Sequence, residues 1–98
     1  MIRADLHAHT RLSGHSLLTT EKIAKVAKKR GLTAIAITDH DEIDAAFKLS
    51  KSFPTIIGEE VFTDQGDIIG LFINEKIARG PVFEVMDEIK MQGGLVIV

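Results

Sequence analysis

The sequence predicts an α/β fold with a parallel core, and three observations carry that reading. Short apolar segments alternate with helical periods in the order βαβαβ, a hairpin, then αβ. The stretch Thr33–Thr38 is nearly all apolar and alternates poorly, as a strand buried on both faces does. Three successive strands end in imidazoles or carboxylates. In a parallel α/β barrel those ends gather on one face, where active sites are built.

Each element has its own signal. Strand one spans about Ile2 to Leu6, and a loop from Thr10 to Leu18 carries His15. Thr19 or Thr20 caps the next helix, because a hydroxyl there accepts from an amide that lacks a helical partner. Ile23, Ala24, Val26 and Ala27 give that helix an apolar face. Lys28, Lys29 and Arg30 suit the negative end of the helix dipole and are read as a solvated helix end. Gly31 supplies the left-handed stop. After strand two, Thr33–Thr38, Asp41 is expected to cap a short helix running to about Lys51, with Ile43, Ala46, Phe47 and Ser50 inward. Pro54 opens a third strand, Thr55–Gly58. Val61–Thr63 and Asp67–Ile73 flank Asp64-Gln65-Gly66, which reads as a β-hairpin. Gly80-Pro81 starts a helix with Val82, Val85, Met86 and Ile89 on its apolar face. Leu95–Val98 is the last strand, and Met86 and Met91 are read as packing.

Composition narrows the classes. A chain of 98 residues makes one small domain at most. With 12 basic and 14 acidic residues, net −2, it has no electrostatic footprint for stable nucleic-acid binding. It has no cysteine, which excludes a disulfide framework and a thiolate zinc site. No apolar run approaches the length of a membrane span, and no charged leader with an apolar core precedes strand one. A soluble cytoplasmic protein without a membrane partner is the expectation.

The chemistry sits at the strand ends. His7 and His9 follow strand one at i and i+2, so their side chains leave on the same side and can converge on one ion. The competing reading is two unrelated surface histidines. His40 lies 31 residues after His9, at the end of strand two in Thr38-Asp39-His40-Asp41, and Glu59 and Glu60 end strand three. All four histidines, His15 included, fall in these places, which a purely structural account does not predict. Imidazoles with a carboxylate suit zinc, manganese or iron better than calcium. Strand alternation places Glu59 and Glu60 on opposite sides.

These segments resemble the PHP (polymerase and histidinol phosphatase) family. Asp5-Leu6-His7-Ala8-His9-Thr10 is similar to its first motif and Thr38-Asp39-His40 to its second. Gly58-Glu59-Glu60, with Gly66-Asp67-Ile68-Ile69-Gly70 behind it, is similar to its third region. The resemblance covers essentially the whole chain and implies the N-terminal portion of a distorted seven-stranded β/α barrel: about four parallel strands with helices and one hairpin. It implies metal-dependent phosphoester hydrolysis with two or three divalent ions per complete site. His7 and His9 would hold one ion, Glu60 would bridge it to a second, and His15 and His40 would hold a third. His7, His9, His40 and Glu60 would carry catalysis, and Asp5 would orient an imidazole. Asp67 stands where many relatives have a histidine ligand to the second metal; an aspartate there would be a shorter, harder ligand, and the competing reading is a hairpin residue facing solvent.

The substrate implied is a phosphorylated small molecule, a nucleotide or a short oligonucleotide. The alternative is a non-catalytic PHP module such as that of a bacterial replicative polymerase. The family's later His-Pro and Asp-x-His motifs are absent from the sequence, so residues 1–98 are read as a partial PHP domain with an incomplete site. An open barrel edge at Leu95–Val98 would favour self-association of such a chain.

Overall fold

The computed structural model describes residues 3–9 and 19–98. One five-stranded mixed sheet carries three helices. In chain order the elements are β1 (Ala4–Ala8), α1 (Thr20–Lys29), β2 (Ala34–Ile37), α2 (Asp44–Ser50), β3 (Thr55–Thr63), β4 (Gly66–Leu71), α3 (Val82–Met91) and β5 (Leu95–Ile97). The sheet order is the chain order, β1-β2-β3-β4-β5. β1, β2 and β3 pair in parallel, while β4 is antiparallel to both β3 and β5. Four strands therefore point one way and β4 alone returns. This is the partial β/α barrel that the sequence predicts.

Local chemistry accounts for the elements. Thr19 caps α1, its hydroxyl accepting from the Lys22 amide at 3.3 Å, and Lys28 and Lys29 occupy the last turn. Gly31 has φ +73°, the left-handed stop expected of it. Capping of α2 differs from expectation. The N-cap position is Ile43, and the Glu42 carboxylate serves that helix start, accepting from the amides of Ile43 and Asp44 at 3.0 and 3.3 Å. Asp41 instead adopts φ +55° and turns toward Arg79. Its inward residues are Ala45, Ala46 and Leu49, while Phe47 and Ser50 face solvent. Pro81 sits at the N-cap of α3, one position before that expected.

The largest correction concerns β3. It does not stop at Gly58 but runs to Thr63. The parallel ladder with β2 ends at Ile37↔Ile57, yet the antiparallel ladder with β4 continues from Gly58↔Leu71 to Thr63↔Gly66. Glu60 is therefore a strand-interior residue beyond the end of the parallel sheet. Gly58 is required at the changeover, because a Cβ there would lie 2.9 Å from both the Gly70 carbonyl oxygen and Thr38 Cγ2.

Two apolar clusters hold the sheet. One packs Ile23, Ala24 and Ala27 of α1 and Ala45, Ala46 and Leu49 of α2 against Ile35 and Ile37. The other packs Val85 and Ile89 of α3 against Val61 and Ile68, with Ile73 and Ile77 from the loop between β4 and α3. Ile57 touches both clusters. Ile57 and Val61 thus face the helices, and alternation puts Glu59 on that side and Glu60 on the other.

Candidate metal centre

Main-chain bonds bring three strand ends to one point. The Thr38 amide donates to the Ala8 carbonyl at 2.7 Å, which locks the end of β2 to the end of β1. The Glu60 amide donates to the Asp39 carbonyl at 3.0 Å, and the Asp41 amide donates to the Glu60 carbonyl at 3.2 Å. His40 is thereby held beside Glu60. Within β1 the register slips between Asp5 and Ala8. Asp5 Oδ1 accepts the His7 main-chain amide there at 3.0 Å, so this carboxylate fixes the backbone of the first motif and not an imidazole ring.

The side chains then converge. Glu60 Oε1 lies 3.1 Å from His7 Nε2, 2.9 Å from His9 Nε2 and 3.5 Å from His40 Nε2. His7 and His9 point their Nε2 atoms at each other across 2.9 Å. Among the described residues, two groups of donor atoms could each hold a metal ion: His7, His9 and Glu60, and His40, Glu60 and Asp67. Glu60 belongs to both. Three imidazole nitrogens crowding one carboxylate oxygen form a donor set of borderline-soft nitrogen and hard oxygen, which fits a transition metal. Asp67 can join because it stands directly across the hairpin from Phe62, two residues beyond Glu60 on the same face of β3. His15 lies outside the described residues.

Electrostatics favour ligand forms. Burial lowers the His9 pKa; His40 and His7 push the same way and Glu60 opposes them. The ring is therefore neutral at neutral pH, as ligation requires. Burial pushes the Glu60 carboxyl up, but the His7 hydrogen bond and the charges of His40, His7 and His9 outweigh it, and its pKa lies below the ordinary value. Glu60 is thus a carboxylate at neutral pH. The His7 side chain is 50% exposed against 12% for Glu60, so the site opens to solvent along β1.

Glu59 behaves differently. It is fully buried on the helix side and accepts from the Ile77 amide at 2.7 Å. Its Oε2 has no hydrogen-bond partner among the described residues. Burial, with Asp41 and Glu42 nearby, pushes its pKa up to about 7 against the Ile77 bond and Lys76. The sequence reasoning separated the two glutamates correctly by alternation. It missed Arg79, which donates from Nε to Asp41 Oδ2 at 2.7 Å and lies over the Phe62 ring, 5.7 Å from its centroid. No spacing could have found it, because its partners are 38 and 17 residues away in irregular structure and strand.

The fold is that of the first turns of a β/α barrel, with a set of possible metal donors gathered at its strand ends. A solved protein from Chromobacterium violaceum, described as an amidohydrolase with bound sulfate and no metal, is similar to this chain with a TM-score of 0.66 and 30% identity. The similarity covers 74% of this chain and 28% of that one. The PHP domain family model matches residues 5–87, and the chain belongs to the PHP domain family. Among curated relatives, the uncharacterised protein MJ1587 of Methanocaldococcus jannaschii is 43% identical over 98% of this chain and 66% of its own length. A second uncharacterised protein of that organism, MJ0417, is 35% identical over 97% of this chain and 38% of its own. A protein of Proteus mirabilis named a probable phosphatase is 36% identical over 84% of this chain and 34% of its own. The chain thus spans about two thirds of one of these relatives and little more than a third of the others. Among the described residues, no helix is long and apolar enough to cross a membrane.

Proposed function

We propose that this chain supplies the N-terminal metal ligands of a phosphoesterase. The observation that carries the reading is Glu60, whose carboxylate belongs at once to the His7–His9 group and to the His40–Asp67 group. In this reading His7, His9 and Glu60 hold one divalent ion, and His40, Glu60 and Asp67 hold a second. Zinc, manganese and iron are the metals this donor set favours. The chemistry supplied by ions held there would be a lowered pKa of bound water and neutralisation of charge on phosphoryl oxygens. The chain's own residues do the rest. Glu60 stays ionised, which fixes the spacing of the two groups. His9 stays neutral and offers its lone pair. The Asp5 carboxylate holds the His7 amide, which keeps the first motif in its bulged conformation. His7, half exposed, leaves one side open for a phosphorylated small molecule or a nucleotide.

The test is a hydrolysis assay on the full-length protein of which this chain forms the N-terminal part, with p-nitrophenyl phosphate and a panel of nucleotides. Activity should disappear after chelation and return with added manganese, zinc or ferrous iron. Turnover that survives complete metal removal would end this reading.

A further inference from the structure

The two halves of the candidate centre are not held in the same way, and the difference singles out Arg79. The turn after His40 is closed by Asp41, a residue with φ +55°. Left-handed backbone is uncommon for a non-glycine residue and persists where surroundings hold it. Its amide is tied to the Glu60 carbonyl at 3.2 Å, and its side chain is gripped by the Arg79 guanidinium, through Nε to Asp41 Oδ2 at 2.7 Å and also through Nη2. The same guanidinium lies over the ring of Phe62, whose cross-strand partner is Asp67. One side chain therefore braces both the β2 end that bears His40 and the hairpin that bears Asp67. Arg79 is itself held by its loop. Glu59 accepts from the Ile77 amide at 2.7 Å, and Gln92 Oε1 accepts from the amides of Asn74 and Glu75 at 2.8 and 2.9 Å. None of these contacts involves His7 or His9.

We propose that Arg79 is a positioning residue for the His40–Glu60–Asp67 half of the centre, acting through Asp41 on one side and Phe62 on the other. The inference rests on the metal-centre reading above. Arg79 touches none of the ligands itself. It sets the separation of His40 and Asp67 and thereby the affinity of the second ion. Groups that orient ligands in this way typically change metal affinity about 10–100-fold when removed.

The experiment is a titration of the metal-free full chain with cobalt(II), read by visible absorption and by calorimetry. The wild-type chain should take up two ions. Arg79→Met should weaken the second ion about 10-fold and leave the first unchanged. The side chain is 67% exposed, so the melting temperature should barely move. Arg79→Lys keeps a cation but loses the planar fork, and should restore only part of the affinity. Asp41→Asn tolerates the same backbone and loses the charge, and should reproduce the selective loss. Because the Asp41 contact is one of the two through which Arg79 acts, the double variant should be no worse than Arg79→Met alone. Equal weakening of both ions, no weakening of either, or additive losses in the double variant would overturn the proposal. A wild-type chain that takes up no ion would instead remove the metal-centre reading, and this inference with it.

Discussion

Glu59 and Glu60 are adjacent in the chain, identical in chemistry and both buried, yet they lie on opposite faces of β3 and their carboxyls shift in opposite directions. Glu60 faces three imidazoles, and its carboxyl is held below the ordinary value. Glu59 faces the apolar cluster beneath α3, and its carboxyl is pushed up to about 7. One residue of strand alternation separates a ligand-like carboxylate from a buried acid that bonds a loop amide. Chemistry at this site is therefore assigned by the face of β3, and composition alone would not distinguish the two.

The sharpest way to break that contrast is to neutralise each glutamate in turn. Glu60→Gln should lower hydrolysis by orders of magnitude and reduce bound metal, because an amide is a poor bridge between two ions. Glu59→Gln should leave turnover close to wild type. Comparable losses in the two variants would mean that the faces are not chemically distinct.

Next in size is the loss of the first motif. Replacing both His7 and His9 with alanine should remove the ion shared with Glu60 while leaving the circular dichroism spectrum largely intact, since both side chains lie outside the two apolar clusters. Metal content measured by atomic emission decides it.

The helix-side face predicts a stability effect and no catalytic one. Between about pH 4.5 and pH 7, folded Glu59 retains a proton that the unfolded chain has lost. Stability contributed at this residue therefore falls as pH rises through that window. Glu59→Gln should flatten the dependence and be the more stable form at pH 8 by about 2 kcal/mol. Denaturant melts at pH 5 and pH 8 give the comparison, and an unchanged slope would refute it. The smallest expected effect is a control remote from both faces. Thr19→Ala should cost about 1 kcal/mol through loss of the α1 cap and leave metal binding untouched.

The regular parts of the fold were legible from the sequence because each carried a local signal. Thr19 and Gly31 bracket α1, and Asp64-Gln65-Gly66 marks the hairpin. The convergence of His7, His9, His40 and Glu60 was legible because parallel strands deliver their ends to one side. What was not legible depended on partners distant in sequence. Glu59-Glu60 reads as a strand end by comparison with β2, and Val61–Thr63 as a separate hairpin strand, yet the ladder with β4 joins them into one continuous β3. Asp41 has the composition of a cap, but Arg79 takes its side chain, and Glu42 serves the helix instead. Gln92 at the end of α3 gives no sign in sequence that it holds the amides of Asn74 and Glu75.

Ile57 touches both apolar clusters, and β3 is the strand that the parallel and antiparallel parts of the sheet share. His7, His9 and His40 belong to one part, and Asp67 to the other. Metal capture at Glu60 would thus join two segments that each have a core of their own. The clasp would couple their unfolding, so the ion would act on cooperativity as well as on chemistry.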